Sequence, residues 1–486
     1  MNVLFITLDQ FRADCLSAAG HPLVKTPNLD ALAAQGVRFA RHYSQASPCG
    51  PGRAALYTGM YQMNNRVVTN GTPLDARFDN VARAARRAGY HPALFGYTDQ
   101  SVDPREVTGA ADPRLRYYTE VLPGFDPVLH IPDDHAPWLE WLRELGYDAG
   151  EAYVELAAEG LRPAKHSLSS FLTNHAIDWI TQQDKPWFAH LSYLRPHPPY
   201  AAAGEFATMY APSDVEMPIT AAEQRHPFHD SVLRLGWVTA PKDEAGLRHM
   251  RAQYYGMISE VDAQLGRIWQ TLKDLGQWED TLIVVTADHG EQLGDHGLQQ
   301  KIGYFEASYH VLGIVRDPSQ PAGHGRVVND FTENVDILPT ICEAMSIPIP
   351  AQCDGRPLTP FLRGEQPNSW RDAAHWEFDW RSLLIRSSEP ATSGWDGRMA
   401  DNNLVALRND RYQYVQFADG SWLCFDLLID PTGRTEVNDP ATVLALAQQM
   451  LVWRQQHTDR TLSDVLIDFG ALGRLPEGVP AGVGRS

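Results

Sequence analysis

Leu282-Ile283-Val284-Val285-Thr286-Ala287-Asp288-His289-Gly290 is the stretch from which the fold of this chain can be read. Residues 282–287 are apolar or β-branched and show no polar alternation, the pattern of a strand buried on both faces and therefore of a parallel sheet. The abrupt change to Asp-His-Gly marks the carboxyl end of that strand. A second run, Val3-Leu4-Phe5-Ile6-Thr7-Leu8, ends in the same way in Asp9-Gln10. Further strands are predicted over residues 93–97, 187–194 and 311–315, with helical patterns between them. The longest helix is predicted over residues 245–275, where Tyr254, Ile258, Val261, Leu265, Ile268 and Leu272 recur at alternating spacings of four and three and make one apolar stripe. Thr26-Pro27-Asn28 opens a shorter helix that Gly36 closes. Residues 100–163, rich in Asp, Pro and aromatics, read as an insertion over the site. After residue 364 the pattern changes to short alternating segments, 404–407 and 411–417, joined by a turn at Arg408-Asn409-Asp410. A helix over 441–457 and a Gly/Pro-rich tail follow.

At 486 residues the chain exceeds the usual limit of about 250–300 residues for one core. The expected fold is α/β, with a large, mostly parallel central sheet flanked by helices. Residues 1–364 would form the catalytic domain and 365–486 a smaller subdomain of antiparallel strands and a helix. The formal net charge of −19 opposes binding to nucleic acid, anionic membranes and densely sulfated polysaccharide. No apolar run reaches the ~18 residues needed to span a bilayer. Residues 1–10 read as a strand that begins at once, without a basic segment or cleavage site, so the cytoplasm is the expected compartment. Cys15, Cys49, Cys342, Cys353 and Cys424 are odd in number and contain no CxxC pair, which predicts neither a disulfide framework nor a zinc site.

In open α/β sheets ligands sit beyond the carboxyl ends of strands, so Asp9-Gln10 and Asp288-His289 can converge although they are far apart in sequence. Two carboxylates, an amide oxygen and an imidazole suit Ca²⁺, Mg²⁺ or Mn²⁺, whereas either Asp alone could simply cap a turn. Arg195-Pro196-His197-Pro198-Pro199-Tyr200 follows the strand at 187–194, and its prolines hold the backbone around the imidazole extended. Cys49-Gly50-Pro51-Gly52-Arg53 precedes a helix-like segment at 54–60. Read alone, it is a buried Cys before a Pro-initiated helix. Lys301, after the loop 291–300, reads by itself as a solvated loop lysine.

Cys49 to Arg53 resembles the sulfatase signature Cys-x-Pro-x-Arg. Asp9-Gln10, Asp288-His289-Gly290 and Lys301 stand in the order and approximate spacing of the sulfatase family of the alkaline phosphatase superfamily. The resemblance extends from the first strand to the C-terminal segments Val335-Asp336-Ile337-Leu338-Pro339-Thr340 and Asp354-Gly355-Arg356-Pro357-Leu358, which read as packing and turn features. It implies that Cys49 is oxidised by a formylglycine-generating enzyme to Cα-formylglycine, whose hydrated diol is the nucleophile. It further implies one divalent metal ion, Ca²⁺ or Mn²⁺, on Asp9, Gln10, residue 49, Asp288 and His289. Arg53 and the metal would lower the pKa of the diol, and His197 would protonate the departing oxygen. Lys301, Asn70, Tyr97 and Thr98 would surround the substrate's oxygens, and Asp99 would be the base that re-forms the aldehyde.

The departures are informative. Gln10 replaces the second Asp of many sulfatases, His289 replaces Asn, and the common Gly-Lys-x-His appears as Gly96-Tyr97-Thr98-Asp99. Gly52 stands where Ser or Ala is usual. With Asn70-Gly71-Thr72-Pro73, these features are similar to the phosphonate monoester hydrolases and their close arylsulfatase relatives. The function expected first is hydrolysis of sulfate monoesters. Hydrolysis of phosphonate monoesters or phosphodiesters at the same site is the alternative, and an unmatured anion-binding relative is the alternative outside enzymes. The expected partners are a small anionic ester and the generating enzyme, and the expected assembly is a homo-oligomer, dimer or tetramer.

Overall fold

Five apolar runs with helices between them can bury both of their faces only by lying side by side under those helices, and this is the arrangement found in the computed structural model. It describes residues 1–381 and 399–459, with the backbone of 467–468 and 471–472. The main sheet contains β1 (Asn2–Leu8), β2 (Val37–Tyr43), β3 (Ala93–Gly96), β4 (Asp126–His130), β5 (Phe188–Tyr193), β6 (Thr281–Thr286), β7 (His310–Val311), β8 (Gly313–Arg316) and β9 (Arg326–Glu333). Their spatial order is β4-β3-β5-β1-β6-β8-β2-β7, with β9 paired to β2.

β1 is central and parallel to both neighbours, with Leu8 opposite Tyr193 and Thr7 opposite Thr286. That register brings the chain segments after β1, β5 and β6 out of one edge side by side. Side chains of β1 alternate between two cores. Leu4, Ile6 and Leu8 pack on the side of the long helix Glu244–Asp274, and Val3 and Phe5 pack on the side of the helix Cys49–Thr58. All six stripe residues of the long helix are buried, each worth roughly 1.5–3 kcal/mol on transfer from water.

The predicted strand at 311–315 is in fact two strands, β7 and β8. β8 runs antiparallel to β6 because no crossover helix separates them, and the chain turns back directly after the Asp288 loop. β2, β4 and β9 escape the sequence reading. β2 carries Arg38, Arg41 and His42 within its seven residues, and β4 contains Pro127, which an edge strand tolerates. The segment 100–163 is therefore partly sheet and not wholly an excursion.

A second, antiparallel sheet consists of β10 (Ala373–Asp379), β11 (Asn403–Asn409), β12 (Tyr412–Phe417) and β13 (Trp422–Asp426). The helix Pro440–Gln456 buries Leu446, Met450 and Trp453 against it. Glu377 N donates to Gln45 O (2.9 Å), docking this sheet to the segment that leads into Cys49. The expected Gly/Pro-rich tail lies outside the described residues. Among the described residues no helix is long and apolar enough to cross a membrane.

Candidate active site

The helix at 54–60 in the sequence reading starts earlier, at Cys49, and runs to Thr58, buried along its whole length. Pro51 lies in its first turn, where its missing N–H costs nothing. Gly52 faces the loop after β6: a Cβ there would lie 2.4 Å from the Asp288 carbonyl oxygen and 3.0 Å from that of Ala46. The usual Ser or Ala therefore does not fit this backbone. We expect Gly52→Ala to lose about 1–3 kcal/mol of stability to overpacking, beyond the ~1 kcal/mol it gains in helix propensity, and to weaken metal binding by displacing Asp288. Thermal melts with and without Mn²⁺ check this, and a variant as stable as the parent contradicts it.

One turn on, Arg53 is fully buried and spends its donors on protein. Nε donates to Asp288 Oδ2 (2.9 Å), Nη2 to Asp9 Oδ2 (3.1 Å), and Nη1 to Ser192 Oγ (2.7 Å), Tyr57 Oη and the Tyr97 carbonyl. It bolts together the ends of β1, β3, β5 and β6. Tyr97 packs its ring 4.3 Å from the guanidinium and donates Oη–H to Asp9 Oδ2 (2.6 Å).

Asp9, Cys49, Asp288 and His289 present one ligand atom each within 4.8 Å of one another, all buried. Asp9 Oδ1 is buried without a hydrogen-bond partner, an expensive state for a carboxylate unless a cation satisfies it. His289 Nδ1–H donates to Gly290 O (3.1 Å), which turns Nε2 toward Cys49 Sγ (3.2 Å), the orientation of a metal-binding imidazole. Burial, reinforced by Lys301, pushes His289 down to about 3, so its ring is neutral and its lone pair available. Burial and the nearby Asp9 push Asp288 up to about 7. Burial also tends to raise Asp9, but His197, Arg53, His289 and Lys301 together hold it far below the usual range. Even with Arg53 paired to both, two carboxylates this close favour keeping one proton between them until a metal ion replaces it. The donor set fits a divalent ion.

Gln10, at φ 71°, accepts from Lys301 Nζ at Oε1 (2.8 Å) and donates Nε2–H to Glu291. Glu291 is anchored in turn by Leu293 N and Gln300 N (2.7 Å each), so it decides which end of the Gln10 amide faces the site. Sequence reasoning missed Glu291, although a carboxylate two residues past Asp288-His289 was a usable signal. Ser192 and Tyr57 were missed because nothing local marks them.

Asn70 Oδ1 accepts from Gly50 N (2.8 Å), which ties it to the first turn of the Cys49 helix. Asp99, at φ 49°, lies 3.7 Å from Arg53 Nε and is pushed up to about 7 by burial, helped by Asp9 and Asp288. His197 donates Nδ1–H to Pro198 O (2.7 Å), and burial with Lys301 lowers it to about 3. Thr98 is not brought into the site. Its hydroxyl donates to Glu120 O (2.7 Å) and accepts from Leu122 N (2.9 Å), so it braces the segment before β4.

With this geometry in place, the relatives decide the family. The family model "Sulfatase" matches residues 1–347, and the model "N-sulphoglucosamine sulphohydrolase, C-terminal" matches 294–458. The chain belongs to the sulfatase family, within the alkaline phosphatase superfamily. This sulfatase-family chain is 38% identical to the multifunctional alkaline phosphatase superfamily protein PehA of Trinickia caryophylli, over 95% of this chain and 96% of the relative. The crystal structure of the phosphonate monoester hydrolase of Agrobacterium radiobacter superposes with a TM-score of 0.90 at 41% identity, covering 98% and 100%. An arylsulfatase of Clostridium perfringens is 26% identical over 77% of this chain and 81% of its own. In this member of the family, burial and the nearby Asp99 push Tyr118 of the 100–163 segment well above the usual range. Tyr153, on the short helix Ala152–Ala157, is 55% exposed.

Proposed function

We propose that the protein hydrolyses monoanionic phosphonate monoesters and phosphodiesters, with sulfate monoesters as secondary substrates. This reverses the order expected from sequence. Supporting it is the charge facing the substrate. Arg53 is consumed by Asp9 and Asp288, and Tyr97 and Asp99 occupy places where many sulfatases carry a cation and an imidazole. Lys301 remains as the side-chain cation near residue 49, a setting that favours one negative charge over two. The greater likeness, over the full length, to a phosphonate monoester hydrolase than to an arylsulfatase points the same way.

Asp9, Asp288, His289 and residue 49 would hold the metal, with Gln10 turned toward them by Glu291. Bound there, a divalent cation supplies Lewis-acid charge, and a formylglycine at residue 49, made by a generating enzyme, supplies the diol nucleophile. Lys301 and the amide of Asn70 neutralise the non-bridging oxygens, where charge is stabilised in the transition state. Tyr97 keeps Asp9 oriented, and Asp99 accepts a proton near neutral pH. His197, neutral in the free site with its proton on Nδ1, would take up a second proton at Nε2 from solvent as the anionic ester binds and deliver that proton to the leaving oxygen.

Turnover of one phenol presented as phenylphosphonate, phosphate diester and sulfate ester tests the assignment. The expected order in kcat/KM is phosphonate and diester above sulfate. A sulfate preference of tenfold or more, on the order of 1.4 kcal/mol of transition-state binding, returns the reading to an arylsulfatase.

A further inference from the structure

The loop that carries His197 is held from beneath by a buried ion pair with no part in the chemistry above. Arg195 Nη1 donates to the carbonyl of His197 (2.8 Å) and to that of Pro199 (3.0 Å), gripping the loop on both sides of the imidazole. Its Nη2 donates to Leu156 O (3.2 Å), and Nε and Nη2 both reach Glu159 Oε2, the former at 3.0 Å. The other oxygen of Glu159 accepts from Leu168 N (2.8 Å), at the start of the helix Leu168–Ile180. Both side chains are 1% exposed. A guanidinium that satisfies three carbonyls and a carboxylate at once is a rigid fork, which a lysine ammonium cannot reproduce. Leu156 lies in the short helix Ala152–Ala157 and Glu159 in the turn that follows it. One ion pair thus fastens the His197 loop to the segment that carries Leu156 and Glu159.

We propose that Arg195 and Glu159 are positioning residues that set where His197 stands relative to the leaving oxygen, and so how well the enzyme handles poor leaving groups. This rests on the reading of His197 as the group that faces that oxygen. A buried pair of this kind is weak evidence for stability, since well-packed apolar residues often serve as well. A role in geometry accounts for a fork aimed at the His197 and Pro199 carbonyls, where a stability device has no such need.

The test compares Arg195→Lys, Glu159→Gln and His197→Ala in the metal-loaded enzyme, using a series of aryl and alkyl methylphosphonates that spans leaving-group pKa. Glu159→Gln keeps the side-chain volume and one acceptor oxygen for Arg195 while giving up the bond from Leu168 N, so it perturbs the pair without removing the guanidinium and serves if Arg195→Lys does not fold. Positioning predicts full metal content and a KM within about threefold of the parent for both. Rates should fall on the order of 10- to 100-fold for alkyl leaving groups and little for nitrophenyl, giving a steeper dependence of log(kcat/KM) on leaving-group pKa, as in His197→Ala. A uniform loss on all substrates, or parent-like slopes while His197→Ala is steep, overturns the proposal. Parallel lines for His197→Ala itself would remove the general-acid reading instead. In that case ¹⁵N spectra of the histidine ring decide: a shifted His197 Nδ1 signal in Glu159→Gln supports positioning, and an unchanged one overturns it.

Discussion

Asp288→Ala is expected to abolish metal loading and lower kcat/KM on the order of 10³-fold or more, because it removes a cluster oxygen and the anchor of three donors. Asp288 accepts from Arg53 Nε (2.9 Å), His289 N (3.0 Å) and Gln10 N (3.2 Å). The fold should survive, since Arg53 keeps Asp9, Ser192 and Tyr57 as partners. Metal analysis after dialysis, beside a circular dichroism spectrum, checks both halves. Full occupancy in the variant would refute the cluster. The same site sets a pH dependence. Asp288 and Asp99 each rise from 3.8 to about 7, with burial as the leading cause. In the metal-free protein these carboxyls hold their protons more tightly folded than unfolded. Their contribution to stability is therefore full below about pH 4 and is lost as pH rises through about 7. A cation competes with those protons, so its affinity should climb to about pH 7 and then level off. Calorimetric titration of the parent with Mn²⁺ in buffers of different ionisation enthalpy measures the released proton, and a flat affinity across that window would sink the account.

Cys49→Ser is expected to cost on the order of 10⁴- to 10⁶-fold in turnover, the scale of losing a nucleophile. The reasoning starts from the unmodified thiol. Burial, reinforced by Asp9, pushes it well above its usual range despite Lys301, so in the metal-free protein the Cys49 thiol holds its proton and is a poor nucleophile. Turnover is therefore expected only after the proposed conversion of Cys49 to formylglycine. Cys49 is only 5% exposed in a helix buried along its length, so a modifying enzyme has to reach it before the chain folds. Two results follow. The tryptic peptide of residues 42–53 from active protein should carry an aldehyde that a hydrazide captures. Folded, unmodified protein should stay inactive when given the generating enzyme, whereas protein unfolded, treated and refolded should gain activity. Active protein with only the thiol would overturn the diol chemistry.

The sequence alone determined where strands end and which residue types gather there. Apolar runs at 3–8 and 282–287 report burial on both faces, and the sharp change to Asp9-Gln10 and Asp288-His289 places ligands at strand ends, because this information is local to each run. The Cys-x-Pro-x-Arg stretch likewise named the family and pointed to residue 49 as the proposed nucleophile position. Only the tertiary structure decided how these segments meet. The register of β1 against β5 and β6 brings together residues nearly three hundred positions apart, and no local pattern encodes a register. Contacts made across the sheet turned Arg53 into a bolt between carboxylates, withdrew Thr98 into a backbone brace and recruited Glu291, Ser192 and Tyr57. The same holds for Gly52, whose need appears only when the Asp288 carbonyl lies 2.4 Å from where its Cβ would be. Periodicity carries burial, which is a property of one element, whereas hydrogen-bond partners and close approach are properties of pairs brought together by folding.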